Sequence, residues 1–367
     1  MKVAAYTVGL DFRIKEVIRL LDVKSSDVLV LGLFGLGGIG KTTLAKAVYN
    51  KLVDQFEHRS FISNVRETSG QNDGLVSLQN KLIFDLSSGN KVPTENVVTA
   101  NIAEIKNVVR ERKVFVVLDD VDDPSQLNAL CGDQEWFSEG SRIIITTRDR
   151  GALPEHYVNQ LYEVQKLDST GALQLFSYHA LGRENPTDKF FKISEQIVSL
   201  TGGLPLALEV FGAFLFDKRR ITEWEDALEK LRKIRPNNLQ EVLKISFDGL
   251  DQQDKCIFLD IACLFVKMGM NKEDAIDILK GCGFRAEIAI VVLLKKSLIK
   301  ITEDDTLWMH DQLRDMGRQI VQQESLLDPG NRSRLWDRDE IMTMLKLQKV
   351  SNEKTSSFYV RVLHFKI

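Results

Sequence analysis

In the first part of the chain the apolar positions fall into short unbroken runs. They are VLVLGLF at Val28 to Phe34, SFISNV at Ser60 to Val65, KVFVVLDD at Lys113 to Asp120 and SRIIITTR at Ser141 to Arg148. Each is rich in β-branched residues and lacks a polar–apolar alternation, the pattern of strands buried on both faces of a parallel sheet. Segments with apolar residues at helical spacing separate them. Leu44, Ala47, Val48 and Leu52 recur so within Thr42 to Asp54, and Leu75 to Leu86 and Ile102 to Val109 behave alike. Strand alternating with helix predicts a doubly wound α/β fold, whose ligands bind at the carboxyl ends of the strands.

From Leu167 onward helical periodicity dominates. Asp168 or Ser169 is placed to cap a helix through Leu181, and a second runs from Lys189 to Leu200 and stops at Thr201-Gly202-Gly203. Leu204-Pro205 opens the next, because glycine ends helices and proline suits the first turn. The break IRPNN at Ile234 to Asn238 marks a boundary, followed by the helical stretches LQEVLKISFDGL and KCIFLDIACLF. Glu287 to Leu294 then leads to SLIKIT, an acidic turn at Glu303-Asp304-Asp305, and TLWMHD. Two short strands around a turn after helices predict a winged helix. The boundaries that follow are 1–165 for the nucleotide-binding α/β domain, 166–235 for a helical domain, 236–325 for the winged helix and 326–367 for a tail.

Composition narrows the class. With 44% hydrophobic and 28% charged residues over 367 positions, the chain is an ordinary globular protein of two or three domains. A net charge of −3 disfavours a dedicated nucleic-acid binder, and Lys218-Arg219-Arg220 and Lys295-Lys296 are too short to be more than solvated faces. An acidic wing tip would repel a phosphate backbone. Cys131, Cys256, Cys263 and Cys282 form no CxxC pair, so neither a disulfide framework nor a zinc site is expected. No secretory signal and no membrane span is read. A cytoplasmic location, or a nuclear one, is expected.

The first strand runs into Gly35-Leu36-Gly37-Gly38-Ile39-Gly40-Lys41-Thr42, which matches G-x-x-x-x-G-K-[ST]. Glycines let successive backbone N–H groups face phosphate oxygens, and the following helix adds its positive end. Lys41 is expected between the β- and γ-phosphates, Thr42 on magnesium, and Thr43 within reach of the α-phosphate. Asp119 and Asp120 end the third run. The first suits magnesium and the second the orientation or deprotonation of an attacking water. Both can alternatively cap the next helix, for which Asp123-Pro124 also has the right chemistry. Arg148 ends IIITTR, where a guanidinium can sense a γ-phosphate or pair with a carboxylate. Asn271-Lys272-Glu273-Asp274 spells the guanine-selecting NKxD, but far from the phosphate loop, and Asn271 reads as a helix cap.

Taken together, GLGGIGKTTLAKAVYN, FISNVRETS, KVFVVLDDVDD, GSRIIITTR, GGLPLAL, FLDIACLF, LWMHDQLRDMGRQIV and SRLWD resemble the NB-ARC module of plant disease-resistance proteins, a branch of the STAND nucleotide switches. Asp122, NVRET and FLDIACLF point to the TIR class. The resemblance implies an α/β P-loop NTPase with a parallel sheet, followed by helical and winged-helix domains. It implies ADP/ATP and Mg2+ as cofactors, with Val8 and Gly9 framing the adenine and Pro205 packing near it. It makes Arg148 the γ-phosphate sensor, and His310, otherwise an ordinary core or strand-end histidine, the contact to the β-phosphate of ADP. ADP then holds the domains closed, ATP releases the winged helix, and slow hydrolysis resets the switch. Other immune-receptor chains or signalling proteins are the implied partners, with oligomerisation in the ATP state. Neither a TIR domain nor leucine-rich repeats is read here, so a truncated regulator or decoy of full-length receptors is the alternative expectation. A turnover ATPase or GTPase and an ATP-driven DNA-binding regulator are the others.

Overall fold

The structure is a computed structural model and describes residues 1–4, 6–87, 97–154, 156–234 and 238–347. Residues 235–237 of the IRPNN break and the segment 350–367 lie outside the described residues. The chain divides into two compact units, Met1–Leu167 and Asp168–Ile367.

The first unit runs α1 (Leu10–Leu21), β1 (Leu29–Phe34), α2 (Lys41–Leu52), β2 (His58–Ile62), α3 (Val65–Ser69), α4 (Gly74–Leu86), α5 (Val98–Arg110), β3 (Val114–Val121), α6 (Pro124–Leu130), β4 (Arg142–Thr147) and β5 (Gln160–Glu163). All five strands are parallel, in the order β2-β3-β4-β1-β5. The four strands read from the sequence are present. β3 and β4 are buried along nearly their whole length, as runs without alternation require. The fifth was not expected: β5 is a four-residue edge strand, partly exposed, and QLYE carries no apolar run. Strand β4 lies between β1 and β3, so the end of SRIIITTR stands between the phosphate loop and Asp119-Asp120.

Arg142 fastens α1 and its turn to this sheet. Its buried guanidinium donates to the carbonyls of Leu21 (2.5 Å), Asp27 (2.7 Å), Ser141 (2.8 Å) and Ser25 (2.8 Å), and also to that of Asp22. All five N–H donors of an arginine are thereby directed at main-chain oxygens.

The second unit begins with α7 (Ser169–Leu181), α8 (Asp188–Thr201), α9 (Pro205–Leu215) and α10 (Ile221–Arg232). Asp168 caps α7, its carboxylate accepting from Gly171 N. Gly202 and Gly203, both left-handed, end α8, and Pro205 stands at the first position of α9. Trp224 of α10 is fully buried against Phe176 and Phe190. There follow α11 (Leu239–Asp248), α12 (Gln252–Asp260), α13 (Lys272–Gly281), α14 (Ala286–Lys295), the antiparallel pair β6 (Lys300–Ile301) and β7 (Leu307–Trp308), α15 (Asp311–Gln322) and α16 (Arg338–Leu347). Asn271 caps α13, accepting from Asp274 N at 2.8 Å, which leaves the NKxD lookalike a helix start. α12 continues into a π-helical turn, Ile261–Phe265, against which Gly317 of α15 packs so closely that a Cβ there would meet Ala262 Cβ at 2.8 Å. The segment after α15 is tied back within this unit. Arg334 Nε donates to Asp260 at 2.5 Å, and Lys267 donates to the carbonyl of Trp336 at 2.9 Å. All four cysteines are free thiols; Cys131 and Cys263 are buried, and burial pushes both up to about 12. Among the described residues no helix is long and apolar enough to cross a membrane.

Candidate functional site

The phosphate loop leaves β1 at Phe34 and enters α2 at Lys41. Gly38 (φ 77°) and Gly40 (φ 101°) adopt backbone conformations that L side chains rarely take, so the loop can fold back on itself only with glycine there. Ile39 is buried, while Gly35 and Gly37 are half-buried. Helix α2 starts with Gly40, which offers no side-chain cap. The amides of Lys41, Thr42 and Thr43 are therefore first-turn donors, as an anion site at a helix N-terminus requires.

Lys41 is 7% exposed, and its Nζ donates to the carbonyls of Gly35 (2.7 Å) and Leu36 (2.9 Å). Burial, and then the nearby Arg148, push its pKa down to about 8, with Asp120 and Asp119 pulling the other way. A buried ammonium held by neutral oxygens is poised for an anion. Thr42 Oγ1 donates to Asp119, 2.9 Å and 3.1 Å from its two oxygens, and Thr146 Oγ1 donates to Asp119 Oδ1 at 2.7 Å. Asp119 is 2% exposed, and burial raises its pKa above the ordinary carboxylate value despite those two hydroxyls. A buried carboxylate beside a threonine hydroxyl is a donor set that suits a hard dication. No cluster of three or more His, Cys, Asp or Glu among the described residues could hold a metal alone. Magnesium here would therefore take most of its ligands from phosphate oxygens and water, as it commonly does.

Asp123, not Asp119 or Asp120, caps α6. Its carboxylate accepts from Ser125 N at 2.8 Å, Gln126 Oε1 accepts from Asp123 N, and Pro124 holds the first helical position. The two preceding aspartates are thus left to the strand end, where their surroundings differ. Asp120 has a left-handed backbone (φ 60°), at a register shift between β3 and β4 that spans Leu118 to Val121. Its N–H donates to Thr146 Oγ1 at 2.9 Å. Its carboxylate accepts from two guanidiniums: Arg66 Nε lies 3.1 Å from Oδ2, and Arg148 Nε 3.2 Å from Oδ1. Of the two partners expected for Arg148, a phosphate or a carboxylate, the carboxylate of Asp120 is the one in this structure.

Lys41, Thr42, Asp119, Asp120 and Arg148 are thus brought into one network. Elsewhere in the same unit, Gly9 precedes α1 with φ 66°, and Val8 is half-buried. Pro205 and His310 belong to the second unit. His310 precedes α15, with Nδ1 2.5 Å from Asp311 Oδ1 and 3.2 Å from Gln312 N. The shorter contact needs the proton on Nδ1. The Gln312 N–H is then better given to Asp311 Oδ1, at 2.8 Å. Asp311 therefore fixes the imidazole. Sequence reasoning missed Arg66 and Thr146. The first stands in NVRETS and the second in TTR, but neither has a spacing that announces its partner.

A glycine-built phosphate loop, a buried hydroxyl–carboxylate pair and an interposed strand ending in arginine define a P-loop NTPase of the doubly wound class. Residues 11–185 match the NB-ARC domain, and residues 251–325 match the Roq1-like disease resistance protein winged-helix domain. The chain thus carries an NB-ARC domain followed by a winged-helix domain of the Roq1-like disease resistance type. It is 42% identical over 337 residues to disease resistance protein RPV1 of Vitis rotundifolia, covering 92% of this chain and 24% of that protein. It is 37% identical over 341 residues to TMV resistance protein N of Nicotiana glutinosa, covering 91% and 29%. The chain thus spans about a quarter of the length of the curated relatives it matches. A STAND protein with a tetratricopeptide repeat sensor from Pyrococcus horikoshii shares the fold, with a TM-score of 0.50 at 17% identity over 88% of this chain and 44% of that one.

Proposed function

We propose that this chain is the ADP/ATP switch of a plant intracellular immune receptor of the TIR class, working in the cytoplasm or nucleus. Its working parts on this reading are a nucleotide-binding domain at 1–165, a helical domain at 166–235 and a winged helix at 236–325. The observation that carries the reading is the network of Lys41, Thr42, Asp119 and Arg148 at the carboxyl ends of adjoining strands. Magnesium, when bound, screens the phosphate charge. The first-turn amides of α2 bind and orient the phosphates, Lys41 neutralises them, and Thr42 and Asp119 hold the metal's ligand shell. Val8, Gly9 and Pro205 frame the adenine, and His310, set by Asp311, contacts the β-phosphate of ADP.

Slow hydrolysis is supported by Asp120, whose two carboxylate oxygens both face guanidiniums. The carboxylate best placed to take a water's proton is already engaged, which suits a timer more than a turnover enzyme. The nucleotide must bind the closed and open states differently, or it shifts nothing. The acidic, exposed wing tip at Glu303, Asp304 and Asp305 disfavours duplex binding. On this reading the partners are other immune receptor chains or signalling proteins.

The test is the nucleotide that co-purifies with the chain, released by denaturation and identified by base and phosphate count. Near-stoichiometric ADP, lost in Lys41→Ala, is expected. Guanine nucleotide, or equal occupancy in the variant, would overturn the assignment.

A further inference from the structure

We propose that Arg66 is a positioning residue of this switch: it retains Asp120 so that Arg148 can leave that carboxylate for the terminal phosphate of a nucleoside triphosphate. The inference rests on the reading of Arg148 as the phosphate sensor and adds a residue from a different strand end.

Asp120 is shared. Arg66 reaches Oδ2 at 3.1 Å from α3, just after β2, and Arg148 reaches Oδ1 at 3.2 Å and Oδ2 at 3.5 Å from the end of β4. The three side chains are largely withdrawn from water, 25% exposed for Arg66, 16% for Asp120 and 22% for Arg148. In such surroundings a charge left alone is penalised far more than at the surface. Asp120 cannot follow a departing partner easily. Its backbone is left-handed, it sits in the register shift of β3, and its N–H is held by Thr146.

The two arginines are not equivalent. In the sheet order β2-β3-β4-β1, Arg148 ends the strand adjoining the phosphate loop, whereas Arg66 follows the outermost strand on the other side of Asp120. Arg148 also acts electrostatically on Lys41, in company with Asp120 and Asp119. Arg148 is therefore the guanidinium that can exchange partners, and Arg66 is the one that stays. If Arg148 turned to a phosphate with Arg66 absent, Asp120 would be an unpaired, half-buried carboxylate beside a polyanion. With Arg66 in place the carboxylate keeps a counter-charge throughout. A diphosphate calls for no such exchange, so the contribution of Arg66 falls on the triphosphate state alone.

The test measures the affinities of the full chain for ADP and for adenylyl-imidodiphosphate, each with Mg2+, by calorimetry. Arg66→Ala should weaken triphosphate binding about tenfold relative to ADP, within the range of ordinary coupling energies. In an Asp120→Asn background, where no carboxylate needs a partner, the same substitution should leave that ratio unchanged. Arg66→Lys should retain part of the preference, and Arg66→Gln reads the same ratio if the alanine variant does not fold. The proposal is overturned if Arg66→Ala weakens both nucleotides alike, leaves both unchanged, or shifts the ratio equally with Asn at position 120. Failure of the underlying reading looks different: the unsubstituted chain would bind neither nucleotide, or Arg148→Ala would leave the ratio where it was.

Discussion

Lys41 offers a test in which the proton reports the phosphate contact. Its ammonium is 7% exposed and rests on two neutral carbonyl oxygens, and burial followed by Arg148 holds its pKa at about 8, against an ordinary 10.5. Keeping that charge in the nucleotide-free protein costs about 3 kcal/mol. The folded value lies below the unfolded one, so the unfolded chain binds more protons between the two. This group therefore makes the nucleotide-free protein more stable as pH rises through that window and less stable as it falls. Polyphosphate binding has the opposite sign, because an ammonium among phosphate oxygens keeps its proton. Binding should take up about 0.1 proton at roughly pH 7, about half a proton at roughly pH 8 and about 0.9 at roughly pH 9. Affinity should fall about tenfold between the first and last of these. Calorimetry of Mg-ADP binding in buffers of differing ionisation enthalpy reads the proton count directly, and phosphate groups with second pKa values of about 6 do not titrate at the upper end. Lys41→Arg is the control, since a guanidinium stays protonated throughout and should abolish the proton uptake. Binding near pH 9 with no proton taken up and undiminished affinity would refute the phosphate contact of Lys41.

The other expectations concern the metal, the sheet and the second unit. Asp119→Asn keeps an acceptor for Thr42 and Thr146 but removes the charge, so it should lower magnesium-dependent affinity about 10- to 100-fold. Titrations with and without chelator decide this, and an unchanged magnesium dependence would count against the assignment. Arg142→Met removes the guanidinium from five main-chain oxygens, of which those of Asp22 and Ser141 keep a main-chain donor, and should destabilise the first unit by about 3–5 kcal/mol in urea unfolding. A loss under about 1 kcal/mol would mean that water satisfies those carbonyls. Asp311→Val removes the carboxylate that sets the His310 ring and should lower the amount of ADP retained on purification. Unchanged ADP and unchanged compactness in that variant would dismiss His310 as a nucleotide contact.

The parts of the fold legible in the sequence are those in which burial or chemistry leaves a local mark. β3 and β4 are buried on both faces, so VFVVLDDV and RIIITT stand out as runs. The phosphate loop is legible because glycine, lysine and threonine have few substitutes at that spacing. β5 left no such mark, since an edge strand of four partly exposed residues needs neither β-branching nor alternation. Helix α1 buries Ile14, Val17 and Leu21, a helical spacing carried by a stretch with charged residues between. The hub at Arg142 was illegible for a different reason. Its acceptors are main-chain carbonyls, which every residue possesses, so nothing about Leu21, Asp22 or Ser25 marks them as partners.

Asp119 and Asp120 show where local reading ends. They are neighbours of one type in one strand, and the sequence supports a site role or a capping role for each. In a regular strand they would point to opposite faces. What separates them is Thr42, Thr146, Arg66 and Arg148, each far away in sequence, together with a register shift that puts Asp120 into a left-handed conformation. Strain of this kind persists only where its surroundings impose it, and it tends to gather at functional sites. The distorted backbone directs one carboxylate to a hydroxyl pair suited to a metal and the other to two guanidiniums, of which Arg148 is the one proposed to change partner. The proposed switch draws on both: a site that holds phosphate in either state, and an adjoining charge pair whose partner is proposed to change with phosphate number.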